Sequence, residues 1–173
     1  ILQARMGSSR LPEKVALDIG GHPMLWHQLQ RIKLAKRLDQ TVVATTSRHE
    51  DSAISDIAKA AGVPCVRGSV DDVLDRYYQA AKGTGATTVV RLTGDCPLAD
   101  PLVIDQAVDC FLERRGEMDY VSLSPEWPEG FDIEVFSFET LARAWNEAEK
   151  PSEREHVTSY IMLSGKFRLH QIP

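Results

Sequence analysis

Short apolar runs without polar alternation recur along the chain. They are separated by stretches whose apolar residues fall three and four apart. The runs at 1–4, 41–45, 64–67, 88–92 and 120–122 predict buried strands. Between them, helical spacing predicts helices over 23–38, 51–61, 71–82 and 101–114. The first has Met24, Leu25, Leu29, Ile32 and Leu38 on one face, with Pro23 opening it. The second has Ile54, Ile57, Ala58 and Ala61 inward and Gly62 positioned to close it. The piece at 15–18 is expected to be extended and to end at Gly20-Gly21. Buried, non-alternating strands that alternate with helices predict an α/β fold. Its sheet should be mostly parallel and Rossmann-like, with helices on both faces. After residue 122 the rhythm changes. A Pro/Gly-rich loop at 124–130 precedes a run at 133–137 that alternates with period two, as an edge or antiparallel strand would. Helices are expected over 138–149 and 152–163.

Both ends read as cut. The chain opens on Ile1-Leu2, the tail of a buried strand, and stops at 173 where a strand-like alternation has only begun. The expectation is one domain over 1–173, truncated at both ends.

Twenty Lys and Arg stand against 25 Asp and Glu, a net charge of −5. An acidic chain is a poor general nucleic-acid binder, which needs a basic face to neutralise phosphates. It can still hold a small anion with a few local cations. No apolar run approaches the ~20 residues that span a membrane. Three cysteines, Cys65, Cys96 and Cys110, form no C-x-x-C pair, which fits a reducing, cytoplasmic setting.

In an open parallel sheet, ligands bind beyond the carboxyl ends of the strands, so the post-strand loops carry the candidate chemistry. The loop after the first run reads Arg5-Met6-Gly7-Ser8-Ser9-Arg10-Leu11-Pro12-Glu13-Lys14. Three cations surround a Gly-Ser-Ser turn whose successive amides suit an anion with several phosphates. The string is neither a Walker A loop nor G-x-G-x-x-G. After the run at 88–92 comes Thr93-Gly94-Asp95-Cys96-Pro97. Asp95 is placed to anchor a Mg²⁺ carried by a triphosphate, since Mg²⁺ takes one or two carboxylates plus phosphate oxygens. Asp132 and Glu134 share one face of the late strand and are either solvated or aimed at a polyhydroxy ligand. Ser152 and Glu155 have the spacing of a capping box, which would account for Glu155 without any ligand. In 65–77, Ser69 fits an N-cap, and for Asp71, Asp75 and Arg76 a structural role weighs as much as a functional one.

The strings Q-A-R-M-G-S-S-R-L-P-E-K, D-I-G-G-H-P-M-L, V-V-A-T-T-S, V-R-G-S-V-D-D-V-L-D-R-Y, V-R-L-T-G-D-C-P-L, G-F-D-I-E-V-F-S-F-E-T-L and P-S-E-R-E-H-V-T follow in order over nearly the whole chain. Together they resemble the sugar cytidylyltransferases, most closely the branch of spore-coat polysaccharide biosynthesis. More distantly they resemble the enzymes that activate 3-deoxy-manno-octulosonate and sialic acid with CTP. The resemblance implies a fold of the nucleotide-diphospho-sugar transferase type. It also implies attack of a sugar hydroxyl on the α-phosphorus of CTP, giving a CMP-sugar and pyrophosphate. It assigns Arg5, Met6, Gly7, Ser8, Ser9, Arg10 and Lys14 to the triphosphate, and Thr45, Thr46, Arg67 and Asp71 to the nucleotide. Asp95 is assigned to Mg²⁺, and Glu155 and His156 to the sugar, with Asp132 and Glu134 expected on the same side from their shared strand face. Arg10, Lys14 and Asp95 would carry the catalysis, and Cys96 would form no covalent intermediate. In similar enzymes a second metal carboxylate comes from a later T-V-D-x-x-x-D string, which is not in this sequence. Dimerisation is common among such enzymes, so a homodimer is one expected state. Two alternatives stand beside this reading: a glycosyltransferase on the same scaffold, and a non-catalytic nucleotide-binding domain. The first would want D-x-D where Thr93-Gly94-Asp95 has a single carboxylate.

Overall fold

The computed structural model describes residues 1–7 and 11–173. Strands β1 (Leu2–Gln3), β4 (Val43–Thr46), β5 (Cys65–Gly68) and β6 (Thr88–Thr93) are mutually parallel. Beyond β6 lie β8 (Glu134–Ser137), β7 (Tyr120–Leu123) and β9 (Leu169–Ile172), giving the order β5-β4-β1-β6-β8-β7-β9. Strand β8 is antiparallel to both neighbours, and β9 is parallel to β7. The alternating run at 133–137 is thus antiparallel as expected, but it is an interior strand and not an edge. Its direction has a consequence for the site. Its first residue, Glu134, pairs with Arg91 near the carboxyl end of β6, so the segment leading into β8 arrives at the ligand-binding edge.

Neighbouring strand residues face opposite layers. Val90, Val121 and Val135 pack with α1 (Met24–Ile32), α2 (Ser52–Ala60) and α4 (Pro101–Glu113). Val89, Tyr120 and Phe136 pack with α3 (Val73–Thr84), α5 (Phe138–Glu147) and α7 (Ser159–Leu163). Helices therefore cover both faces of a mostly parallel sheet, the layering that continuous apolar strands require.

Several boundaries differ from the pattern. Residues 14–16 form a 3₁₀ turn and are not extended, because Glu13 adopts a left-handed conformation (φ 55°) and its carbonyl accepts the Ala16 N–H at 2.8 Å. A two-stranded ribbon follows, β2 (Asp18–Ile19) with β3 (His22–Pro23), turned by Gly20-Gly21. Helix α1 ends at Ile32, short of Leu38, and Pro23 flanks its start. The expected helix over 152–163 is two helices, α6 (Pro151–Glu155) and α7. They are broken at Val157, a buried β-branched residue at φ 43°, where the helix cannot continue. Among the described residues, no helix is long and apolar enough to cross a membrane.

Candidate active site

The loop after β1 and the loop after β6 meet at the carboxyl edge of the sheet. The 3₁₀ turn at Lys14–Ala16 brings Lys14 Nζ to 3.2 Å from Asp95 Oδ2. A cavity of about 260 Å³ opens between them. Gln3, Ala4, Arg5, Gly7 and Lys14 line it from the first loop, and Thr93, Gly94 and Asp95 from the second. Arg76 closes it from α3, and Glu155 and His156 from the end of α6.

Each wall has a local cause. Gly94 packs so tightly under β1 that a Cβ there would sit 3.0 Å from both the Ala4 Cβ and the Gln3 carbonyl oxygen. The end of β6 is held by Gln28 of α1, whose side-chain amide donates to the Thr93 carbonyl at 2.8 Å. Helix α3 is capped by Asp72, which accepts the Asp75 N–H at 2.8 Å, while Ser69 Oγ accepts the Asp72 N–H. The N-cap is therefore Asp72 and not the expected Ser69. Arg154 of α6 reaches the same Asp72 at 2.6 Å, which ties α6 to the start of α3 and holds Glu155 and His156 over the cavity. The cap of α6 is also displaced from expectation. Glu153, not Glu155, receives the amides of Glu149 and Lys150, so Glu155 is left exposed at the cavity.

The electrostatics favour an anion. Arg76 is 3% exposed; among the described residues its side chain bonds to the carbonyls of Ser69 and Val70, and its Nε has no partner. Burial weakens its hold on the proton and nearby Arg5 adds to that, while Tyr77, Asp51 and Asp72 act the other way. A buried guanidinium facing a cavity beside Arg5 and Lys14 is a poorly compensated cation, and a bound anion would relieve it. The sequence carried a signal for Arg76. It falls three residues after Val73 and four before Ala80, on the buried stripe of α3. Gly68 makes room for it, since a Cβ there would lie 2.9 Å from the Arg76 Cγ.

Asp95 is ionised. Its partial burial would raise its pKa, but hydrogen bonds from Thr93 and Lys14 and the Lys14 charge together hold it below the usual aspartate value. Cys96 differs. Burial pushes its thiol pKa up, Thr93 works against that, and the neighbouring Asp95 and Asp132 push it further up. Its Sγ lies 3.2 Å from Thr93 Oγ1 and 3.5 Å from Asp132 Oδ2. A thiol held protonated between two carboxylates is no nucleophile.

A second cavity, about 500 Å³, adjoins the first and shares Thr93 and Asp95 with it. Trp127, Phe131, Asp132 and Glu134 line it, the last two delivered by the antiparallel entry of β8. Glu134 is already engaged. It pairs with Arg91 and accepts the hydroxyls of Tyr120 (2.6 Å) and Thr158 (2.9 Å), with its side chain only 12% exposed.

The predicted nucleotide residues are thus divided. Arg5, Gly7, Lys14 and Asp95 converge on the first cavity. Ser8, Ser9 and Arg10 lie outside the described residues. Met6 is mostly buried and contributes its backbone. Thr45 and Thr46 are buried in β4 and line neither of these two cavities among the described residues. Arg67 is spent on the loop after β4, where it donates to Thr46 O, Arg48 O and Ser52 Oγ. Asp71 is exposed beside α3 and lines none of the cavities described here. The structure does not bring these four to the cavity. Of the predicted sugar residues, Asp132 and Glu134 reach the second cavity, and Glu155 and His156 the first.

Among the described residues, no group of three or more His, Cys, Asp or Glu forms a metal cage. A single ionised carboxylate at the rim of a cationic cavity fits a Mg²⁺ that brings its other ligands as phosphate oxygens and water.

A family model described as cytidylyltransferase matches residues 1–164. The chain is 44% identical over 161 residues to the uncharacterized protein MJ1063 of Methanocaldococcus jannaschii, covering 93% of this chain and 65% of that one. It is 30% identical over 165 residues to the spore coat polysaccharide biosynthesis protein SpsF of Bacillus subtilis, covering 93% and 68%. A solved cytidylyltransferase from Leptospira borgpetersenii superposes with a TM-score of 0.95 at 39% identity, covering 99% of this chain and 74% of that one. The chain thus spans about two thirds of the length of these curated relatives. The cationic loop, the Gly94–Asp95 turn beneath it and the match that runs through both have one origin: the chain belongs to the cytidylyltransferase family.

Proposed function

We propose that this domain seats CTP in the first cavity and a sugar in the second, and transfers the cytidylyl group between them. The observation that carries this reading is the shared wall. Asp95 and Thr93 line both cavities, so two ligands would meet at one carboxylate. A domain that only sensed a nucleotide has no use for the second cavity.

Arg5 and Lys14 of the first loop and Arg76 of α3 bind and orient the triphosphate, with Arg10 of the first loop expected to join them. A sugar hydroxyl oxygen attacks the α-phosphorus, the bond from that phosphorus to the bridging oxygen breaks, and pyrophosphate leaves. Such transfer is mostly positioning and charge neutralisation. Asp95 would hold the Mg²⁺, which supplies charge neutralisation and a lower pKa for the attacking hydroxyl. When the triphosphate binds, Lys14 exchanges its bond to Asp95 for phosphate oxygens. Trp127 and Phe131 offer apolar ring faces to a sugar in the second cavity, and Asp132 a hydrogen-bond acceptor. A cytoplasmic setting and a homodimer accord with the reading.

Calorimetric titration with CTP, UTP, ATP and GTP in Mg²⁺ tests the nucleotide half. CTP should bind tightest, and equal or tighter binding of a purine triphosphate refutes it. Pyrophosphate release in the presence of CTP and a panel of sugars tests the transfer.

A further inference from the structure

Met6 has both of its backbone groups engaged. Its carbonyl accepts the Glu13 N–H at 3.0 Å, which closes the loop that ends at Lys14. Its N–H donates to Asp51 Oδ1 at 2.7 Å. Asp51 is 1% exposed and ends the 3₁₀ turn His49–Asp51 after β4. Its other oxygen accepts the Thr46 hydroxyl, and Thr46 Oγ1 accepts the Arg48 N–H at 3.1 Å. One buried carboxylate therefore joins the loop after β4 to the cationic loop after β1.

An apolar side chain at this helix start would cost less to bury than a carboxylate, which needs its hydrogen bonds to be tolerated there. The loop it holds has its own difficulty. Arg5 and Lys14 face one cavity, and Lys14 is tied to Asp95 while Arg5 has no ion pair among the described residues, so the start of the loop must be placed by other contacts. A loop fixed in its binding shape beforehand spends less of the ligand's interaction energy on ordering. We infer that Asp51 is a positioning residue of the anion loop: through the Met6 amide it sets the spacing of Arg5 and Lys14 across the cavity. This rests on the reading of that loop as the triphosphate seat.

The test uses the whole chain and three variants, each read by CTP and tripolyphosphate affinity, by hydrogen exchange of the Met6 amide, and by melting. Asp51→Ala removes the acceptor. The Met6 amide should lose protection, and CTP binding should weaken about tenfold or more, the usual loss for a hydrogen bond to a charged group. Asp51→Asn keeps an acceptor for Met6 and should stay within about threefold of the parent. Thr46→Val removes the other bond to the same carboxylate. It should melt lower yet hold CTP within about threefold, which a merely structural role for Asp51 does not predict. Where the alanine variant does not fold, Asp51→Leu restores apolar volume and takes its place. CTP affinity unchanged in Asp51→Ala or Asp51→Leu overturns the inference, as does an equal loss in Thr46→Val. If the parent binds neither CTP nor tripolyphosphate, the nucleotide reading fails. Protection of the Met6 amide then decides the anchor alone: loss in Asp51→Ala upholds it and retention overturns it.

Discussion

Replacing Glu134 with alanine separates a structural carboxylate from a ligand-binding one. The Arg91 and Glu134 side chains are 16% and 12% exposed, so the pair lies largely out of water. Burial would weaken the Arg91 guanidinium's hold on its proton, but Glu134, together with Tyr77 and Tyr120, more than offsets this and keeps it charged. Removing one partner of a buried pair leaves the other charge uncompensated and costs about 3–5 kcal/mol. Tyr120 and Thr158 lose their acceptor in the same step. At about 2–4 °C per kcal/mol for a domain of this size, the melting temperature should fall by roughly 6–20 °C. Glu134→Gln keeps an acceptor for Tyr120 but cannot answer the Arg91 charge, so it should cost an intermediate amount, about 1.5–3 kcal/mol. The double variant Arg91→Met/Glu134→Leu should recover most of the loss, because exchanging both charges for apolar volume is often neutral. Urea unfolding of the four proteins measures this directly. If Glu134→Ala unfolds within about 0.5 kcal/mol of the parent, the reasoning fails. Loss of sugar-dependent turnover in that stable variant would return Glu134 to the sugar.

Lys14→Ala should weaken CTP binding by about 1.5–3 kcal/mol by calorimetry. It should change folding by no more than about 1 kcal/mol, because its pair with Asp95 is half-exposed. The same variant removes two of the influences that lower the Asp95 pKa, so an NMR titration should show that pKa rising. The sign follows: a depressed carboxyl adds stability above its ordinary value and loses it as the pH falls through the folded value, and Lys14→Ala should narrow that acid window. Asp95→Asn should reduce CTP affinity and abolish its dependence on Mg²⁺, and undiminished Mg²⁺ dependence would move the metal elsewhere, with Asp132 the next residue to replace. Gly94→Ala should cost about 1–3 kcal/mol in urea unfolding, because its methyl meets the Ala4 Cβ and the Gln3 carbonyl, and Ala4→Gly should relieve part of that.

What could be read in the sequence divides along a physical line. Periodicity reports which side of an element is buried, so the strands at 41–45 and 88–92 and the helix closed by Gly62 came out within a few residues of β4, β6 and α2. Periodicity is blind to the order of strands. An alternating run suits an edge and an interior antiparallel strand equally, and only pairing with both β6 and β7 put β8 inside the sheet. Local cap rules failed where two caps competed. Ser152 and Glu155 have the right spacing, yet the N-cap is Lys150, two residues earlier than expected, and Glu153 takes the role. The residues that act through burial were the hardest to see. Asp51 and Arg76 read as ordinary polar helix residues until their phase is counted: Asp51, at the N-cap of α2, falls three residues before the buried Ile54, and 73, 76 and 80 fall on the inward stripe of α3. Thr46 and Arg67 are a different case. They lie at or near the carboxyl ends of β4 and β5, where ligand contacts are expected, but among the described residues Arg67 bonds to the loop after β4, and Thr46 joins the cationic loop through Asp51 and Met6. A charged residue on an apolar stripe next to a ligand-binding edge is therefore a better guide to this site than a polar residue in the loop above it.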